Sequence, residues 1–224
     1  MSAVACESPC RAPGTWSLDA LFVALSSRLG GDTERLPESA ILSLVEQARG
    51  GDAGARHRLY TQHVDVIFRT VRAIMPSDAD AEDVTQDALL TMLTSLGTYR
   101  PRADARFSTW VATVAINTAR RRFRRRRPEL TATGEVPDTP GEAPDPTGDL
   151  DRARQRRVLL LALSELSDRE RTIVSLRYGA ELNASEIATV VGIEPATVRK
   201  TLERTRARLG ARIDTLLNTG DRPS

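Results

Sequence analysis

Residues 167–209 read SDRERTIVSLRYGAELNASEIATVVGIEPATVRKTLERTRARL, and they set out two helix starts, a short turn and a basic last helix. Ser167 is followed three residues later by Glu170, and Asn183 by Glu186. Each pair fits a capping box, in which the first side chain accepts from an early helical N–H and the acid accepts from the cap's own N–H. From Asn183 the apolar residues Ile187, Val190 and Val191 share one helical face, and Gly192 permits a tight turn. Pro195 stands where a first helical residue loses nothing by lacking an N–H, so the next helix is predicted to begin at about Ala196.

That last helix carries Arg199, Lys200, Arg204, Arg206, Arg208 and Arg212 against one acid, Glu203. Val198, Leu202, Thr205 and Leu209 fall at helical spacing on the opposite side, so one face packs and the other is charged. A basic stripe alone describes a solvated surface helix. Behind a capped helix and a glycine turn it describes a helix-turn-helix, whose second helix enters the major groove with its N-terminal residues toward base edges. Thr197, Arg199, Lys200, Arg204 and Arg208 are the candidates for base or phosphate contact.

Working outward, the 224 residues suffice for one large domain or two small ones, and the net charge of +2 hides an uneven distribution. Residues 99–127 hold ten arginines and one acid, Asp104, whereas residues 128–151 hold seven acids and no base. Lys200 is the only lysine, so the basic surface is guanidinium, which forks onto phosphate and guanine. No run of 18 apolar residues occurs, and the start lacks the basic-then-apolar pattern of a secretory leader, so a cytoplasmic protein without membrane contact is expected. Cys6 and Cys10 are the only cysteines and His57 and His63 the only histidines; their order does not suggest a zinc site, and no metal, cofactor or catalytic group is expected.

The chain divides by composition. Residues 1–38 form an extension in which Leu18, Leu21, Phe22, Leu25 and Leu29 share one face of a short amphipathic helix, suited to packing on the body or to meeting a partner. Residues 39–127 are helix-patterned throughout, with four apolar faces. Ile41, Leu44, Val45 and Ala48 belong to the first, Leu59, Ile67, Phe68 and Val71 to the second. Val84, Ala88, Leu89 and Met92 lie on the third, and a fourth helix starts near Phe107. Residues 128–151, with five prolines and three glycines, read as an extended acidic tether. At about 3.3 Å per residue it reaches roughly 75 Å, comparable with about two turns of DNA. A second helical domain, 152–217, ends in the helix-turn-helix, and 218–224 are a tail. The expected fold class is all-α: two small helical domains joined by a Pro-rich linker.

In their joint order, DAEDVTQDALLTML, FSTWVATVAINTARRRFRRRR, LSDRERTIVSLRY and SEIATVVGIEPATVRKTLERTRARL make this chain, over roughly residues 39–212, resemble an extracytoplasmic-function (ECF) sigma factor of bacterial RNA polymerase. The resemblance implies a region-2 domain that binds core polymerase and opens the minus-10 promoter element, and a region-4 domain that reads the minus-35 element. It also implies an anti-sigma factor as a partner, beside core polymerase and promoter DNA. The acid-rich helix would dock on polymerase through Asp80, Asp83, Gln86 and Asp87; helix-dipole stabilisation favours the acids on its own, but not Gln86.

By the same resemblance, Arg120, Arg121, Arg122 and Arg124 would hold the DNA backbone at the minus-10 element, and residues 99–106 would form a base-capturing loop. Asn117 would hydrogen-bond a base or orient the helix. Opening DNA without ATP requires binding the opened form more tightly than the duplex, which arginines on phosphate and a pocket for an unstacked base accomplish. Phe107 and Trp110, spaced i and i+3 with Val111 and Val114, read as core.

Two positions depart from the usual pattern of the family: Arg121 stands where an acid is common, and Glu203 lies on the recognition helix. Glu203 is suited either to a cytosine amino group or to Arg199 one turn earlier. The competing reading is a stand-alone helix-turn-helix repressor or activator, which has no need of the acidic helix. An enzyme is disfavoured, because no strand pattern, Gly-rich phosphate loop or Ser/His/Asp set is present.

Overall fold

The computed structural model describes Leu18, Leu21, Phe22 and residues 36–75, 77–103, 105–133 and 150–219. Cys6, Cys10, Leu25, Leu29, the tether's residues 134–149 and the tail's residues 220–224 lie outside the described residues. Among the described residues the structure is helical, with one isolated bridge between Arg102 and Ala105. No helix among them is long and apolar enough to cross a membrane.

The first body comprises α1 (Glu38–Arg49), α2 (Ala53–Arg72), α3 (Asp78–Thr94), a 3-10 turn (Leu96–Thr98) and α4 (Phe107–Thr133). Local chemistry sets the starts: Asp52 accepts from the Ala55 amide at 3.0 Å, and Ser77 accepts from the Asp80 amide at 3.1 Å. The apolar stripes meet as their periodicity requires, with Leu59, Val71, Val84, Ala88, Met92 and Phe107 fully enclosed. A side chain the size of leucine or phenylalanine contributes about 1.5–3 kcal/mol when so buried.

The second body comprises α5 (Leu150–Ser164), α6 (Asp168–Val174), a π-helical turn (Ser175–Gly179), α7 (Ala184–Val191) and α8 (Pro195–Thr219). Both capping boxes form, at Ser167 with Glu170 and at Asn183 with Glu186. Gly192 ends α7 in the left-handed region, at φ 72° and ψ 45°. A residue with a Cβ is disfavoured there, whereas glycine is not. The turn it makes delivers the chain to Pro195, the first residue of α8.

Four features differ from the sequence expectation. Helix α4 runs on through Pro128 to Thr133, beyond the expected boundary at Arg127. Asp80, expected on an exposed docking face, is 4% exposed because its carboxylate accepts the Ser77 hydroxyl at 2.7 Å while its amide donates back to that residue. Tyr99, expected in the base-capturing loop, is buried with its ring 4.9 Å from Phe107 and 5.3 Å from Trp110. Finally, the two bodies are docked: Ile173, Leu176, Ile187 and Val198 of the second body belong to the same apolar core as α2 and α4.

A second core gathers α5 and α8 around Leu159, Leu163, Leu209 and Ile213, and here the N-terminal extension is placed. Leu18, Leu21 and Phe22 are buried in it, with the Phe22 ring 5.5 Å from Tyr178. Packing on the body is therefore the use the structure makes of these three residues.

Candidate nucleic-acid interface

The basic face of α8 is open where the sequence predicts it. Thr197, Arg199, Lys200, Glu203, Arg204 and Arg208 are exposed, while Val198, Thr205 and Leu209 are buried on the other side. The exposed cations are not equivalent. Arg204 and Arg208 reach back to Glu170 Oε1 on α6, at 3.4 and 2.8 Å. Arg199 and Glu203 make no ion pair with each other, so the local pairing considered from the sequence does not form, and Thr197, Arg199 and Lys200 lead the face at its N-terminal end.

Glu170 therefore has two tasks, closing the α6 capping box and aligning α8 against α6. Burial pushes its carboxyl upward, but the hydrogen bonds from the Ser167 hydroxyl and amide, with Arg208 and Arg204 nearby, outweigh burial and hold it below the usual range.

On α4, Asn117, Arg121 and Arg124 are exposed at i, i+4 and i+7, which places them on one line along the helix. The other two predicted arginines diverge from that line. Arg120 lies 3.5 Å from Thr172 Oγ1 of the second body, and Arg122 pairs with Asp83 of α3 at 3.3 Å. Phe123 interrupts the arginine run and packs against the core.

The loop 99–106 keeps Arg100, Pro101, Arg102, Ala103 and Arg106 at the surface after Tyr99 turns inward. Arg106 leaves the loop to meet Glu186 at the start of α7, at 2.8 and 3.1 Å. Glu186 also accepts from Thr109 Oγ1 at 3.1 Å and from the Asn183 amide at 2.9 Å. Burial pushes the Glu186 carboxyl up, but the bonds from Arg106, Asn183 and Thr109 outweigh it and hold the group below its usual range.

The acidic face of α3 presents Glu82, Asp83, Gln86 and Asp87, all exposed. Beside them Leu90 is 63% exposed, a large apolar side chain rimmed by carboxylates. The apolar face read from the sequence, Val84, Ala88, Leu89 and Met92, does not include Leu90. The signal was present, since Leu90 follows Asp83 by seven residues and Gln86 by four, and those intervals place it with them, away from Val84, Ala88 and Met92. The sequence marks Glu186 as a cap, and nothing in its local sequence points to Arg106, 80 positions away.

Comparison with known proteins finds a match for each of the two helical bodies. The Sigma-70 region 2 family matches residues 59–129, and Sigma-70, region 4 matches residues 154–209. The RNA polymerase sigma-E factor of Streptomyces antibioticus is 31% identical over 67% of this chain and 80% of its own length. The ECF RNA polymerase sigma factor BldN of Streptomyces coelicolor is 30% identical over 77% of this chain and 65% of its own. In fold, the chain is similar to the sigma factor RpoE of Bartonella quintana, solved in complex with the anti-sigma factor NepR. That likeness has a TM-score of 0.58, at 20% identity over 74% of this chain and 98% of that one.

Proposed function

Because the chain belongs to the ECF sigma factors of bacterial RNA polymerase, we propose that it directs core polymerase to a particular set of promoters through three faces, one for each contact. The N-terminal end of α8, with Thr197, Arg199 and Lys200, reads the minus-35 element, and Arg204 and Arg208 add phosphate contacts. The line Asn117, Arg121 and Arg124 on α4 follows the minus-10 backbone, with Arg120 and Arg122 joining once their protein partners release them. Residues 100–106 form the rim of the base-capturing loop over a rigid floor of Tyr99, Phe107 and Trp110. The region-2 domain spans 39–127 and the region-4 domain 152–217.

Polymerase docks on α3 through Asp83, Gln86, Asp87 and Leu90. Asp80 shapes the start of that helix. An apolar side chain ringed by charge suits a docking anchor, since it supplies buried area at the centre while the rim sets orientation. The Arg122–Asp83 pair links this face to the DNA face, so docking frees a guanidinium for phosphate. The chain performs no catalytic step and works in the cytoplasm; an anti-sigma factor regulates it by covering one or more of these faces.

The observation that carries this reading is the presence on one chain of two separate basic faces, on α4 and α8, and a third, acidic face on α3 that carries the exposed Leu90. The test is in-vitro transcription from a bacterial genomic library with purified core polymerase, with and without the protein. New transcripts starting at a shared upstream motif are expected. Tight DNA binding by the protein alone, with no core association and no new starts, would replace this reading with that of a repressor or activator.

A further inference from the structure

Three arginines of the first body meet in a cleft away from the basic faces of α4 and α8. The cleft, of about 390 Å³, lies where the end of α1, the start of α2 and the 3-10 turn after α3 come together, and Arg49, Arg56 and Arg100 line it with Thr94, Leu96 and Gly97. No carboxylate and no residue of the second body is among its lining residues.

Backbone carbonyls at the ends of these elements hold the three side chains. Arg49 donates through Nε to the Leu96 carbonyl at 2.9 Å and through Nη2 to the Tyr99 carbonyl, while Nη1 pairs with Glu46, so its guanidinium is engaged throughout. Arg56 donates through Nε to the Ala48 carbonyl at 3.2 Å, and Arg100 through Nη1 to the Gly97 and Tyr99 carbonyls at 2.7 and 3.0 Å. The other guanidinium nitrogens of Arg56 and Arg100 have no protein partner among the described residues, and both side chains are exposed.

Helix chemistry does not ask for Arg56. It stands in the first turn of α2, at the positive end of the helix dipole, where an acid stabilises and a cation does not, and that turn holds no acid. An arginine set against its own helix dipole, with two more beside it and no carboxylate in the cleft, suits a bound anion. Arg100 also belongs to the loop 99–106. Tyr99, Pro101 and Arg102 line a second cleft with Arg106, so the first residues of the loop stand between the two. A strand with one base held at the loop carries phosphates to either side of that base.

We propose that Arg56 and Arg100 form a phosphate-binding cleft for the backbone of the single strand beside the captured base. The inference rests on the function proposed above and adds α1 and α2 to the surface that holds opened DNA. Arg49 ties the start of the loop to α1, and the free N–H groups of Arg56 and Arg100 take the phosphate oxygens, a match that guanidinium geometry favours.

The full chain is tested by fluorescence anisotropy over a series of salt concentrations, with a labelled random single-stranded DNA pool of about 20 nucleotides, longer than one binding site. Arg56→Gln removes the charge and keeps a donor for the Ala48 carbonyl. Arg58→Gln removes the same charge from an exposed position of α2 that lines neither cleft. Circular dichroism confirms that each variant is folded. Arg56→Gln is expected to lower the slope of log K against log salt by roughly 0.7, the share of one single-strand phosphate contact, which is about fivefold in affinity over a tenfold change in salt. Arg58→Gln should keep the wild-type slope.

A wild-type slope in folded Arg56→Gln overturns the cleft. Equal losses in the two variants overturn it as well, since they would report net charge alone, and so does a wild-type chain that binds no single strand. Isothermal titration with inorganic pyrophosphate separates the two sources of phosphate. Pyrophosphate binding that needs Arg56, with the DNA slope unchanged, would assign the cleft to a free phosphate compound and overturn its place on the strand. None of these readouts needs polymerase, so failure of the sigma-factor reading itself is seen separately, as absence of core-dependent transcription by the wild-type chain.

Discussion

Thr205 is fully buried midway along α8, and its hydroxyl has no hydrogen-bond partner among the described residues. Leaving such a group unmatched costs about 1–3 kcal/mol. Thr205→Val keeps the β-branched shape and removes the unmet group, so urea denaturation is expected to show a gain of about 1 kcal/mol. On the opposite side of the same helix, Arg199 is open while Arg208 is tied to Glu170 at 2.8 Å. Arg199→Ala is therefore expected to cost about 1–3 kcal/mol in binding of a minus-35 duplex, the range for a lost base contact. Arg208→Ala should cost less and should weaken binding evenly across sequences. Equal losses in a duplex titration would show that the two positions are interchangeable, against the geometry. Both residues were legible in the sequence as basic, but their difference was not, because Glu170 lies 38 positions from Arg208.

Among the elements, the turn between α7 and α8 depends on one conformation. Gly192 at φ 72° has open space around the place a Cβ would occupy, so Gly192→Ala isolates the backbone penalty from any clash. A cost of about 1 kcal/mol is expected in thermal or urea unfolding. No change would mean that the turn relaxes to another geometry. The acidic helix α3 makes a different prediction. Leu90→Asp replaces a side chain that is 63% exposed, so the chain's own melting temperature should hardly move. Affinity for core polymerase, measured by surface plasmon resonance, should fall at least tenfold if Leu90 is an anchor of the kind that costs about 2 kcal/mol or more when lost. Asp80→Asn should do the reverse, lowering stability with little effect on polymerase binding, since Asp80 is tied to Ser77.

For the molecule as a whole, the carboxylates that join its parts set its response to acid. Burial pushes Asp78, Glu170 and Glu186 upward, but hydrogen bonds and arginines outweigh it and hold all three below their ordinary values of 3.8 for Asp and 4.5 for Glu. A depressed carboxylate contributes stability that is complete above its unfolded value and is lost as pH falls through its folded one. Stability from these three groups should thus hold above about pH 5 and decline below the ordinary carboxylate range. Since Asp78 and Glu186 each bond across the two bodies, scattering should show expansion over the same acid interval. Expansion that begins near neutral pH would point to other groups. The sequence by itself determined the helices, their caps, the helix-turn-helix and the order of motifs that identifies the family, because periodicity, capping and turn chemistry act over a few residues. Tertiary structure alone decided that Tyr99 turns inward against Phe107 and Trp110, that Glu186 holds Arg106, and that Gly179 seats one body on the other. Those contacts join residues from separate elements, up to 109 positions apart between Thr70 and Gly179. Which pairs meet is settled by packing the apolar faces together, a choice that no local pattern encodes.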